Sequence, residues 1–302
     1  MISRLDLDGK GAGSPEGLVL RILKAEPSLP IPIPIEELCR KLDITSIEYE
    51  TLEGLEGALI TTPERKSGII LIKKTSHPFR QRFTMGHELG HFIIPTHMPG
   101  LDGRFLCSRA DMLLQHADEQ DKRARMEVEA NRFSSLLLIP PPMLRPRLKG
   151  DPNLSQLVEL ASEFEVSKEA MARAYALYHG ELLAFVVTHD GIVTRVHKHP
   201  SFPYVTVDIG RPAPSRSGAK INLSTGTITE VAECLPDHWI GVDRGKPAPK
   251  LYEQIMRQRD NYSMIMLWLD NSENNSNEED FDRDENLTAS QRLRDRIYRS
   301  ST

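Results

Sequence analysis

The sequence predicts an α+β fold with most of its helices in the first 180 residues and a β-rich C-terminal part. Three observations carry this reading. Apolar residues recur at helical spacing through 78–94 and again through 123–139. β-branched runs flank turn residues at Pro63–Lys66 and at Asp190-Gly191. After Gly180 the pattern changes from helical to strand-like, so the two classes of element are segregated along the chain.

Residues 1–15 form a mobile leader with charges and glycines but no apolar core, so no secretory signal is expected there. Leu18–Ala25 is a short helical stretch. Pro27–Pro34 is an extended connector, because each proline fixes φ and removes a donor. Ile35–Leu42 reads as an amphipathic helix, with Ile35, Leu38, Cys39 and Leu42 on one face. Ala58–Thr62 and Ser67–Lys73 form a β-hairpin. Pro78 opens a helix that ends before Pro95, and a charged, glycine-containing loop follows. A second strong helix spans about Arg123–Ile139 and stops at Pro140-Pro141-Pro142. Two helical patterns in 153–178 meet near Ser167, which is placed to cap the second. Leu182–Thr188 and Ile192–His197 make a hairpin, and further strand-like runs lie at Tyr204–Ile209, Thr225–Val231, Trp239–Val242 and Tyr262–Leu269. Asn271–Glu285 is rich in Asn, Ser, Glu and Asp and is expected to be disordered, and Leu287–Arg299 reads as an isolated amphipathic helix.

Composition narrows the function classes. The net charge of −5 gives no basic footprint for nucleic acid. No apolar run approaches the ~20 residues that span a bilayer, so no membrane association is expected. The 3 cysteines, Cys39, Cys107 and Cys234, are odd in number and widely separated. That argues against a disulfide framework and a CxxC knuckle, and for a reduced, cytoplasmic setting.

The chemistry concentrates at His87-Glu88-Leu89-Gly90-His91. Histidines four apart on a helix share one face, where two imidazole nitrogens can converge on one zinc ion. Glu88 follows the first histidine, so its carboxylate reaches a metal-activated water without being a ligand, and serves as the general base. With 10 histidines in the chain, such a string arises by chance in about a few per cent of sequences of this composition. The preceding hairpin, the buried-type Phe92-Ile93-Ile94 and Gly90, which lets another element approach closely, all reduce that chance further.

A catalytic zinc site takes three protein ligands, and two residues compete for the third place. His97 has the spacing of the long HExxHxxGxxH signature, but Ile94-Pro95 stands where that signature has its turn glycine. Read otherwise, His97 is a surface loop histidine. Glu127 lies on the later helix, with Asn131 one turn on, able to accept a hydrogen bond from a ligand histidine and orient its ring. The spacing favours Glu127 and directs Glu129 elsewhere. Metal content is then expected to fall in Glu127→Ala and to hold in His97→Ala.

Arg82-Phe83-Thr84-Met85-Gly86-His87-Glu88-Leu89-Gly90-His91, followed by Glu127-Val128-Glu129-Ala130-Asn131-Arg132-Phe133 and Leu136-Leu137-Leu138-Ile139-Pro140, resembles the ImmA/IrrE family of metallo-endopeptidases. Its pattern is RFTxxHELGH and then ExxANxFAxxLLxP. The likeness covers about residues 18–145, with two departures, at Ser134-Ser135 and at Ile72-Lys73-Lys74. The resemblance implies a zincin-like N-terminal metallopeptidase domain with a gluzincin-like site: His87, His91 and Glu127 as zinc ligands and Glu88 as base. It also implies a protein substrate, an XRE-type helix-turn-helix repressor, and hence regulation of stress-response or mobile-element genes. The competing reading is a non-catalytic zinc-containing regulatory or DNA-binding protein. The residue that stabilises the oxyanion stays open among Tyr175, His116, Arg104 and His97.

The expected organisation is a leader at 1–15, the zinc metallopeptidase domain at 16–150, a short helix-turn-helix-like unit at 151–180, a β-rich sensor or partner-docking domain at 181–270 and an acidic tail at 271–302. In the helical unit Lys168 and Arg173 are outweighed by Glu159, Glu163, Glu165 and Glu169, which favours packing over direct DNA binding. His197, His199 and His238 read as surface histidines rather than a second metal site, and Trp239 and Trp268 as core residues.

Overall fold

The computed structural model describes residues 13–62, 64–214, 223–242 and 248–270. Most of the expected leader, and all of the acidic tail with the helix at Leu287–Arg299, lie outside the described residues. Among those described, no helix is long and apolar enough to cross a membrane.

The N-terminal half opens with α1 (Pro15–Ala25), capped by the Ser14 hydroxyl, and α2 (Ile35–Lys41). A four-stranded sheet follows, built from β1 (Ile44–Glu50), β2 (Gly57–Thr61), β3 (Gly68–Lys73) and β4 (Arg104–Cys107), in the order β1-β3-β2-β4. The expected hairpin forms: β2 and β3 are antiparallel, with Leu59 opposite Ile70. Flanking it, β1 runs parallel to β3 and β4 runs antiparallel to β2. Neither flanking strand was expected from the sequence.

The long helix α3 (Pro78–Ile93) starts at Pro78 and packs on β2 and β3. Its last carbonyls are not left bare. The Arg65 guanidinium donates to the carbonyl oxygens of His91 (3.3 Å), Ile94 (2.7 Å) and Pro95 (2.8 Å), a favourable place for a cation. Helix α4 (Lys122–Leu138), capped by Asp121, lies against α3. Small residues allow the close approach. A Cβ added to Gly90 would sit 3.1 Å from Phe133 and 3.3 Å from the Ala130 Cα, while the Ser134 hydroxyl donates to the Phe83 carbonyl at 2.8 Å.

After α5 (Pro141–Leu144), α6 (Leu154–Glu163) and α7 (Lys168–Tyr178) form the helical pair, with Ser167 capping α7 as its sequence position foretells. They pack on a second, antiparallel sheet: β5 (Leu182–His189), β6 (Ile192–Lys198), β7 (Ala232–Cys234), β8 (Leu251–Arg257) and β9 (Tyr262–Leu269), in the order β6-β5-β9-β8-β7. Asp190 and Gly191 both take positive φ, 50° and 76°, as the tight β5–β6 turn requires.

Three expected strands do not form. Tyr204–Ile209, Thr225–Val231 and Trp239–Val242 form the isolated bridges Val205–Ile240 and Ile228–Met256 and scattered backbone hydrogen bonds, such as Thr229 N–H to the Ile255 carbonyl at 2.9 Å, rather than continuous ladders. Their β-branched and aromatic residues serve burial instead. Val205, Trp239 and Ile240 cover one face of the second sheet, while Tyr204 and Ile209 stay exposed. The other face, with Leu183, Phe185, Val187, Met256, Met264 and Met266, joins the core that runs from α1 through α7.

Candidate metal centre

Helix α3 brings His87, Glu88 and His91 into the core, each with 0% exposure, and α4 brings Glu127 (4%) and Asn131 (8%) opposite them. His87 Nε2 and His91 Nε2 are 3.1 Å apart, and Glu127 Oε2 lies 3.1 Å from the first and 3.4 Å from the second. The sequence-derived residues therefore meet at one point, and the close packing at Gly90 is what lets α4 deliver Glu127.

Hydrogen bonds around the triad fix which nitrogens face inward. The Asn131 amide donates to the carbonyls of Asp111 (2.8 Å) and Leu114 (3.0 Å), so its Oδ1 is the atom turned to His87 Nδ1 at 2.9 Å. An oxygen there requires a proton on His87 Nδ1, which leaves His87 Nε2 as a bare lone pair aimed at the centre. His91 is tied similarly through an unexpected residue. His97 Nε2 faces Glu129 Oε2 at 3.0 Å, so its Nδ1 is the acceptor for His91 Nδ1, also at 3.0 Å.

His97 is thus not a surface histidine: it is fully buried. The turn that returns it needs no glycine, since the His97 N–H bonds the Ile94 carbonyl at 3.2 Å with Pro95 at the position such turns favour. Glu129 points away from the triad, as its helical position implies, and reaches it only through His97.

The electrostatics match the geometry. Burial pushes the Glu88 carboxyl up to about 7, against the lowering effect of His87 and of the neighbouring Cys107 thiol. Burial also pulls His91 down to about 4. Two lone pairs and a carboxylate at 3.1–3.4 Å repel unless a cation or a proton lies between them. The chemistry of the donor set therefore suits a metal ion, and Glu127 Oε2 is itself a buried oxygen without a hydrogen-bond partner.

The sequence missed two features of the wall. Phe105 of β4 stacks on the His91 ring at 4.6 Å between centroids. Cys107 of the same strand is buried, and its sulfur joins the group of His87, His91 and Glu127 ligand atoms that all lie within 4.8 Å of one another. The only signal in the sequence is the alternation of Phe105 and Cys107, too short to mark a strand. Among the residues held open as oxyanion stabilisers, Tyr175 is excluded: its hydroxyl is spent on Gln156 (2.7 Å) and the Asn153 N–H (3.2 Å). His197, expected on the surface, is buried against Glu169 Oε1 at 2.9 Å. Trp239 is fully buried, and Trp268 is half-buried with its indole N–H on Glu181.

Residues 39–175 match the peptidase M78 family model, described as the IrrE N-terminal-like domain. Among solved structures, a Mycobacterium tuberculosis transcriptional regulator is similar with a TM-score of 0.51 and 14% identity, covering 84% of this chain and 76% of that one. At that identity the likeness is one of fold. No curated protein matches the sequence.

Proposed function

We propose that this IrrE N-terminal-like domain is a zinc-dependent endopeptidase, with His87, His91 and Glu127 as ligands, Glu88 as general base and Asn131 as the group that orients His87. The carrying observation is the convergence of the three donors beside the fully buried Glu88 carboxyl. Zinc with bonds of 2.0–2.1 Å in a tetrahedron separates its ligand atoms by about 3.3 Å, which agrees with the spacing of the triad. Held there, zinc would act as a Lewis acid on the attacking water and the scissile carbonyl.

The chain's own residues do the rest. Asn131 and His97 hold the two imidazoles in the tautomer that turns Nε2 inward. Glu88, buried beside the centre, takes the proton of the attacking water and delivers it to the leaving amine. Gly57 leaves the carboxylate room, since a Cβ there would stand 2.8 Å from Glu88 Oε1.

A protein substrate is supported by the position of β4, the outermost strand of its sheet, beside the centre. An extended peptide can add to such an edge through its backbone, and Met98, Leu101, Leu106 and Leu113 offer exposed apolar surface on β4 and the segments flanking it. The repressor as substrate rests on the family resemblance and on the structural neighbour being described as a transcriptional regulator. The free cysteines Cys39, Cys107 and Cys234 suit the reduced, cytoplasmic setting that goes with such a partner.

The test mixes the purified protein with the helix-turn-helix product of a neighbouring gene, with and without zinc. Cleavage is expected only with zinc, and Glu88→Gln should keep the metal while losing about 10²–10⁴-fold in rate. Undiminished cleavage by Glu88→Gln would overturn the assignment of the base. Glu127→Ala should lose the metal itself.

A further inference from the structure

We propose that Cys107 is a fourth protein ligand of the metal centre, and that its sulfur shuts the position a catalytic water needs. This rests on the zinc reading above and deepens it: the centre then has a closed resting form as well as an open working one. Closed four-ligand zinc sites are structural, and three-ligand sites with a free position are catalytic, so a fourth donor that can leave acts as a gate.

Two independent observations point to the sulfur. Its ligand atom belongs to the buried His87, His91, Cys107 and Glu127 group within 4.8 Å. The polar atoms facing that space include Glu127 Oε2, which is buried and without a hydrogen-bond donor, and the buried Glu88 carboxyl, which the Cys107 thiol approaches, so the space is built for a charged occupant rather than as apolar packing. A sulfur bound to zinc at about 2.3 Å would lie about 3.6 Å from the nitrogen and oxygen ligands. Ligand atoms all within 4.8 Å of one another are already near that spacing, so a small shift of the strand would bring the sulfur into the shell.

Its carrier suits such travel. β4 has four residues, pairs only with β2, and exposes Leu106 next to the cysteine. Opposite Cys107 in the register is Gly57, which places no side chain between the sulfur and Glu88. A metal held there would take the sulfur as its thiolate, so the thiol proton would be released to solvent when the sulfur binds and regained when it leaves.

The experiment uses the full chain loaded with cobalt in place of zinc. Wild type should show a near-ultraviolet thiolate-to-cobalt charge-transfer band. Cys107→Ser should lose that band while still binding one cobalt per chain. X-ray absorption at the zinc edge of wild type needs no variant, and should give one sulfur neighbour at about 2.3 Å with nitrogen and oxygen neighbours at about 2.0–2.1 Å. Identical cobalt spectra for the two proteins, or a zinc shell without sulfur, would overturn the gate and leave the His87–His91–Glu127 centre standing. Failure of both proteins to take up metal would instead sink the centre itself, and the gate with it.

Discussion

Replacing His97 by alanine isolates the outer support of the centre from its ligands. In the native structure His97 accepts from His91 Nδ1 at 3.0 Å and is itself held by Glu129 at 3.0 Å. Without it, His91 keeps its place on α3 but loses the partner that fixes its tautomer and ring orientation. Loss of such a partner weakens metal affinity by about 10–100-fold, or about 1.4–2.7 kcal/mol. Glu129→Gln should act in the same direction but less, because that carboxylate is 38% exposed and screened by solvent. The assay is competition for zinc against a chromophoric chelator at neutral pH, with metal stoichiometry measured at saturation. Stoichiometry should stay at one per chain in His97→Ala while affinity falls. An affinity within about twofold of wild type would mean the relay is idle. Loss of stoichiometry matching Glu127→Ala would mean His97 is a ligand, and the geometric account of the centre would fail.

Asn131→Asp should retain an acceptor for His87 and so hold zinc, but it sets an oxygen against the Asp111 and Leu114 carbonyls, and its Tm should fall; Asn131→Leu should lose affinity as well. Gly90→Ala gains ~1 kcal/mol of helix propensity. Its new Cβ would lie 3.3 Å from the Ala130 backbone, so overpacking at ~1–3 kcal/mol should win and lower Tm. The Glu169 carboxyl would be raised by burial, but His197 and Arg195 hold it below its ordinary value. A depressed folded pKa contributes stability above the unfolded value of roughly 4.3 and loses it as pH falls through the folded one. Glu169→Gln should therefore show a shallower decline of Tm from about pH 6 to pH 3 than wild type, and parallel curves would refute the pairing.

Much of the fold was readable wherever the signal is local. Pro78 and Pro95 bound the histidine helix, Ser167 caps α7, and Asp190-Gly191 makes a tight turn, because each acts through its own backbone within a few residues. The strands β1, β4 and β8 were not readable, because short mixed segments such as Arg104–Cys107 become strands only by pairing with a distant partner. The reverse error has the same origin. Tyr204–Ile209 has strand composition but spends it on covering a sheet rather than joining one. At the centre, i,i+4 spacing singled out His87, His91, Glu127 and Asn131, which share helices. The supporting roles of His97 and Glu129, and the place of Cys107, escaped because a turn, a second histidine and a remote strand had to bring them in.

The apolar core that passes from α1 through the helical pair to one face of the second sheet also governs how the chain comes apart. Leu183, Phe185, Met264 and Met266 belong to the same buried cluster as residues that precede position 180, and the Leu154 N–H is bonded to Gln254 Oε1 at 2.7 Å. A cut in the link between α7 and β5 would leave both pieces with bare hydrocarbon and a stranded amide. The two halves are therefore expected to lose stability together, and a truncated N-terminal half to expose apolar surface and aggregate.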